Sequence, residues 1–84
     1  MAYKIEILRA ARKQFLSLPK TAQKEIAGAI DGLKDNARPS RSRKLRETEL
    51  WRIRTGRYRV IYVIDDRARL VTIVKVAIRR EDTY

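Results

Sequence analysis

Cysteine and histidine are both absent from this 84-residue chain, and each absence removes a class of chemistry. Without cysteine there is no disulfide, no thiolate nucleophile and no thiolate metal site. Without histidine the usual metal ligand and the usual proton shuttle near neutral pH are gone. Acids are few, and their two pairs, Asp65-Asp66 and Glu81-Asp82, lack the spacing of a metal site. Glycine occurs three times, each time alone, so there is no Gly-rich phosphate loop and no nucleophile elbow. The longest apolar run, Val60–Ile64, is far too short to cross a bilayer. The opening MAYKIEI lacks the apolar stretch of a signal peptide. The expectation is therefore a cytoplasmic protein with no membrane contact, no metal and no cofactor.

What the chain does have is positive charge. Twenty-one lysines and arginines stand against ten acids, a formal net charge of +11. An apolar share of 44% is nonetheless normal for a globular protein and argues against disorder. The length suits one domain, residues 1–84, with a small core and a thin stability margin. Self-repulsion among so many cations destabilises the lone molecule, and an acidic partner relieves it.

Hydrophobic periodicity predicts an α+β order. Tyr3, Ile5 and Ile7 alternate as a half-buried first strand over Tyr3–Leu8. Leu8, Ala11, Phe15 and Leu18 then follow helical spacing, until Pro19 forces a turn. A second helix, at about Thr21–Leu33, has Ala22, Ile26, Ala29, Ile30 and Leu33 as its apolar stripe, with Thr21 the better N-cap candidate. The two helices read as a hairpin lying on a sheet. Residues 34–49 carry six cations and read as a loop, with a short strand or turn near Lys44-Leu45. That segment is either a solvated connector or a loop that follows phosphates.

Three strands close the chain: Leu50–Thr55, Arg57–Ile64 and Leu70–Arg79. Gly56 and Asp65-Asp66-Arg67 mark the reversals of an antiparallel meander. Alternation assigns Tyr58, Val60, Tyr62, Ile64, Leu70, Val74 and Val76 to the core face. Arg57, Arg59, Ile61, Val63, Ile73, Lys75 and Arg79 go to the other. An unpaired buried guanidinium is very costly, so the arginine end of that second face should be open to water or matched by anions.

The basic set on these strands is Arg52, Arg54, Arg57, Arg59, Lys75, Arg79 and Arg80. Arginine grips phosphate with a fixed fork and stacks on bases, so the set suits a nucleic acid. Trp51, Tyr58, Tyr62 and Tyr84 lie nearby as potential stacking rings, although Trp51 and Tyr58 are better read as core. One cleavage chemistry fits a chain with no nucleophile and no metal. RNA's own 2′-hydroxyl attacks the adjacent phosphate, while the protein aligns it and stabilises developing charge. Tyr84, near Arg79 and Arg80, is then either a proton relay with a lowered pKa or merely a chain end.

Strand, helical hairpin, basic loop and meander, with LWRIRTGRYRVIYVIDD and VKVAIRREDTY, resemble the RelE/ParE superfamily of type II toxins. The match runs from Tyr3 to Tyr84 and includes the helix through Leu18-Pro19, the Lys44-Leu45 pair and the YRVIY strand. RelE-type members cut messenger RNA on the ribosome. The resemblance implies that Arg59 stabilises the transition-state charge, Arg79 assists the leaving group, and Tyr84 orients the base or handles a proton. It places Arg52 and Arg54 near the scissile phosphate, with Arg57, Lys44, Arg46, Lys75 and Arg80 as further RNA-binding residues. Arg52 and Arg54 stand where the best-known members have lysines, and arginine is a poor general base because it stays protonated. The implied partners are an acidic cognate antitoxin, the ribosome and mRNA, with operator DNA reached only through the antitoxin complex. A ParE-like toxin that poisons DNA gyrase without cutting RNA is the other outcome the resemblance allows.

Overall fold

A computed structural model describes residues 2–78 and shows a five-stranded sheet with a helical hairpin on one face. The elements are β1 (Lys4–Ile7), α1 (Arg9–Leu16), α2 (Lys20–Gly32), β2 (Ser42–Lys44), β3 (Leu50–Thr55), β4 (Tyr58–Asp65) and β5 (Leu70–Ile78). The strand order is β1-β5-β4-β3-β2. The three C-terminal strands form the expected antiparallel meander, while β1 joins β5 in parallel, Lys4 opposite Leu70 and Ile7 opposite Ile73. The sheet is thus mixed and has five strands rather than four. The extra strand is β2, antiparallel to β3, where three residues of the basic segment find a partner edge.

The hairpin turns as its sequence dictates, with a different cap. Pro19, extended at φ −58° and ψ 153°, takes the N-cap place in α2, and Lys20 is already helical. Thr21 is therefore inside the helix, and no side chain caps it. Pro19 offers a carbonyl to Gln23 N–H, and the Gln23 amide donates to the carbonyls of Leu16 and Leu18. One glutamine thereby ties the start of α2 to the end of α1, satisfying carbonyls that a helix terminus leaves open.

Both helices bury their stripes on one sheet face. Ala11, Ile26, Ile30 and Leu33 meet Ile53, Val60, Tyr62, Val71, Ile73 and Val76. On β5 the face assignment departs from simple alternation. Ile61 pairs with Lys75 but Tyr62 pairs with Ile73, so Val74 is an extra residue in the ladder. That bulge shifts every later residue to the opposite side. Ile73 lies in the core, Val74 is only half-buried, and Leu70 stands opposite Asp65, away from the helices. Past the end of β1 the free edge of β5 is met by α1, where Val76 N–H donates to Gln14 Oε1 at 2.8 Å.

The segment after α2 is pinned to the fold over its first part. Ala37 is buried, and its carbonyl accepts the hydroxyl of fully buried Tyr62 at 2.9 Å. Burial holds the Tyr62 phenol above its ordinary pKa, against smaller opposing effects of the Ser42 hydroxyl and Arg38. Trp51 and Tyr58 pack against the core, as expected of them, and Tyr62 is a core residue rather than a stacking platform. Among the described residues no helix is long and apolar enough to cross a membrane.

Candidate nucleic-acid interface

The cations of β3 leave the core because their neighbours enter it. Ile53 and Thr55 are buried toward the helices, so Arg52 and Arg54 project from the other face. Strand register then decides what stands beside them. Arg43 of β2 lies directly opposite Arg52, which faces Ile61, which in turn faces Lys75. Two residues along, Arg54 lies opposite Arg59, and Arg59 opposite Ala77. The second face therefore carries two cross-strand rows, Arg43–Arg52–Ile61–Lys75 and Arg54–Arg59–Ala77. Like charges placed directly opposite one another disfavour a sheet, and the two rows give this face a concentrated positive potential.

The rows are not uniformly open. Arg59, on the central strand, is only 3% exposed, and Ile61 beside it is buried as well. Of the two expectations for the arginine end, open to water or matched by anions, the first is thus corrected at Arg59. Strands on both sides of β4 enclose it, which an isolated alternating pattern does not reveal. Arg43 and Arg54 are exposed, and Arg52 and Lys75 are half-buried. The result is a buried arginine at the middle with accessible arginines on the β2–β3 side.

Arg57 does not join these rows. Gly56 and Arg57 form a two-residue turn between Thr55 and Tyr58, with positive φ at Gly56 (59°) and not at Arg57. That is the II′ pattern, which favours glycine first. A Cβ at Gly56 would also come within 2.7 Å of Glu25 Oε1. Arg57 is exposed and lines a cleft of about 560 Å³ with Pro19, Thr21, Ala22, Glu25, Gly56 and Tyr58, beside the start of α2. Its two-residue spacing from Arg59 places them on one face only if both are in the strand, and β4 begins at Tyr58.

Lys44 and Arg46 belong to the β2–β3 hairpin and its loop, both exposed, with Lys44 Nζ 4.0 Å from Glu49 Oε1. Lys44 faces Trp51 across the ladder, so it projects on the opposite side from Arg43. Arg43 escapes the sequence reading because its own segment reads as a loop, with a short strand or turn only near Lys44-Leu45. The available signal was the spacing of Arg41, Arg43 and Lys44 within SRSRK, too short for a confident strand. Arg79, Arg80 and Tyr84 lie outside the described residues.

At the far end of β4 one cation is neutralised by an ion pair. Arg38 donates to both carboxylate oxygens of Asp66, at 3.1 and 2.9 Å, and Tyr3 Oη donates to Asp66 Oδ1 at 2.6 Å. These hydrogen bonds, Arg38's first, lower the Asp66 pKa to about 2. The Arg38 guanidinium also sits 5.2 Å from the centre of the Trp51 ring, and that of Arg69 5.7 Å from Tyr3. The Asp65-Asp66 turn is thus a clamp on the 34–41 segment rather than a plainly solvated bend.

This arrangement has known relatives. A family model described as the ParE toxin of the parDE type II toxin–antitoxin system matches residues 5–83. The chain belongs to the RelE/ParE superfamily of type II toxins. It is 31% identical over 90 residues to a toxin named RelE1 from Methanocaldococcus jannaschii, covering 100% of this chain and 97% of that one. The archaeal RelE–RelB complex from Pyrococcus horikoshii contains a similar chain, with a TM-score of 0.85 and 30% identity over 96% of this toxin and 99% of its counterpart. The intact RelBE complex of E. coli gives a TM-score of 0.81 at 22% identity, covering 95% and 100%, a likeness of fold. The toxin is thus one component of a type II toxin–antitoxin system.

Proposed function

We propose that this toxin, as a single domain in the cytoplasm, is a ribosome-dependent mRNA endoribonuclease that arrests translation. The observation that carries the reading is the pair of adjacent cation rows on one sheet face, one of them containing the buried Arg59. In this reaction the 2′-hydroxyl attacks the adjacent phosphate, giving a pentavalent centre with an extra negative charge, and the 5′-oxygen leaves with a proton. Arg54 and Arg52 hold the phosphate, and Arg59 stabilises the added charge from a low-dielectric position where a donor acts strongly. Arg79 serves the leaving group and Tyr84 the proton transfer. Arg46, Lys75 and Arg80 extend the contact to RNA, whereas Arg57 and Lys44 are turned away from this face. With neither histidine nor cysteine in the chain, a phenol near arginines is the best-suited proton carrier.

The partner reading is an acidic antitoxin. Ile7, Phe15, Leu16, Ile30 and Val76 line an apolar groove of about 300 Å³ with Arg12 at its rim. Leu16 is 62% exposed and Ile7 40%. A net charge of +11 disfavours a second copy of this chain there and favours an anionic amphipathic segment that orders on contact. Operator DNA is reached through that complex.

The second reading, gyrase poisoning, is favoured by the family match, whose description is that of a ParE toxin. One experiment separates the two: mapping mRNA 5′ ends after induction, with DNA supercoiling assayed in the same cells. New 5′ ends within translated codons, dependent on ribosomes, support the nuclease. Trapped gyrase–DNA complexes with no new RNA ends establish the alternative.

A further inference from the structure

We propose that Arg43, on the edge strand β2, is a phosphate-binding residue that extends the Arg54–Arg59 site into a two-phosphate track. The inference rests on reading this face as an RNA surface and adds a contact that no sequence motif indicated. Arg43 and Arg52 are direct cross-strand partners in one row, and Arg54 and Arg59 in the next. Rows two residues apart along a strand are separated by roughly 6.7 Å. The two pairs also straddle adjacent strand gaps, one β3–β4 and the other β2–β3, so their midpoints lie on the order of 8 Å apart. Long arginine side chains span the small excess over the spacing of neighbouring phosphates, so a phosphate held by Arg54 and Arg59 brings the next one within reach of Arg43.

Exposure gives the track a direction. On the β5 side, the centre of the sheet is closed by buried Ile61 and the lone methyl of Ala77. On the β2 side Arg43 and Arg54 are exposed. The strand thus enters or leaves across β2, a three-residue strand at the sheet's edge. Charged side chains on a short edge strand also prevent edge-to-edge pairing, which is the competing account of Arg43. The two accounts predict different results.

The test measures binding of a non-cleavable 2′-O-methyl oligoribonucleotide by fluorescence anisotropy across a salt series. It compares the intact chain, Arg43→Gln and Arg9→Gln. Arg9 lies on α1, in the layer behind the sheet, so both variants lose one charge. If Arg43 holds a phosphate, Arg43→Gln weakens binding about three- to tenfold. It also lowers the slope of log affinity against log salt by about 0.7, the single-strand value per contact. Arg9→Gln leaves the slope unchanged. A second readout is melting temperature at low salt. Arg43→Gln should melt higher than the parent without polyanion, because a like-charge pair is relieved, and gain less when oligonucleotide is added. Equal slopes for the two variants, or self-association of Arg43→Gln with unchanged oligonucleotide affinity, would overturn the proposal and leave the nuclease reading standing. Absence of salt-dependent binding by the parent chain overturns both.

Discussion

Arg38 and Arg54 belong to the same small sheet and are treated in opposite ways. Arg38, at one end, meets a carboxylate with both arms of its fork, a tyrosine shares that carboxylate, and a tryptophan lies under the guanidinium. Arg54, toward the other end, is set opposite a second arginine, and the next row repeats the arrangement with Arg43 and Arg52. The fold therefore has the means to neutralise an arginine and uses them where a loop must be anchored. Elsewhere it sets cation directly opposite cation, an arrangement that an added anion would favour. The two sets of arginines differ by their neighbours, not by their number.

If the proposed nuclease reading holds, removing Arg59, the buried member of the Arg54–Arg59 pair, should have the largest effect. Arg59→Ala should lower cleavage of programmed ribosomes by about 10²–10³, the usual loss when one preorganised charge donor is deleted. Because Arg59 is buried, the variant must be shown to fold by thermal melting, and Arg59→Lys provides a variant that keeps the charge. Lysine lacks the fork, so it should recover only part of the rate. Wild-type cleavage by a folded Arg59→Ala protein would remove Arg59 from the mechanism.

Converting one region into the other sharpens the contrast. Arg54→Glu places a carboxylate opposite Arg59, imitating the Asp66 corner. Cleavage should fall by at least as much as in a charge deletion, about 10²-fold or more, because an acid repels the substrate phosphate. Melting temperature should rise at the same time, since a repulsive cross-strand pair becomes attractive. The gain is under about 1 kcal/mol, as Arg54 is exposed and screened. A variant that loses both stability and activity would show that Arg54 is a packing residue and not a held cation.

At the structural corner, Tyr62→Phe deletes one buried hydroxyl and leaves the ring. The Ala37 carbonyl loses its partner, at a cost of about 1 kcal/mol. For a domain of this size that corresponds to roughly 4–8 °C in melting temperature. Cleavage at a temperature well below melting should stay near the parent rate, because the pin lies on the helix side of the sheet. A large loss of activity at full folding would show that the 34–41 segment reports to the RNA face.

Much of this contrast was legible in the residues. The three C-terminal strands follow from their alternation and turn residues, and the face of Arg52 and Arg54 follows from the buried Ile53 and Thr55 between and beyond them. Three features could not be read that way. The run VTIVKV is apolar on both sides of its bulge, so either register satisfies the pattern and only pairing with Tyr62 and Ile61 selects one. Strand β2 has three polar residues with no alternation of its own, and it exists because β3 offers an edge. Burial of Arg59 depends on strands contributed from both sides. Each of these is a property of neighbours in space. The site was therefore legible as a set of arginines but not as rows, and Arg43 went unseen while Arg57 was placed on the wrong surface.

The smallest effect should come from Asp66, whose side chain is more than half exposed, and its value lies in its pH dependence. Its pKa is lowered from 3.8 to about 2 by hydrogen bonds from Arg38 and Tyr3. A carboxylate with a depressed pKa in the folded state contributes stability above its unfolded pKa and loses it as pH falls through the folded value. The Asp66 contribution should therefore be complete above about pH 5, shrink as pH falls through about 4 to 2, and be absent only near pH 1. Asp66→Asn keeps the shape of the side chain but not its charge. Its melting temperature should lie slightly below the parent's at pH 7, with the gap closing across that acid window. Arg38→Gln should give the same curve, and the double variant no further loss, because the two charges act as one unit. Added salt should narrow the gap at neutral pH, as for any exposed pair. A gap that persists unchanged from pH 7 to the acid limit would mean that Asp66 acts through packing, and the distinction between anchored and opposed arginines would lose its clearest example.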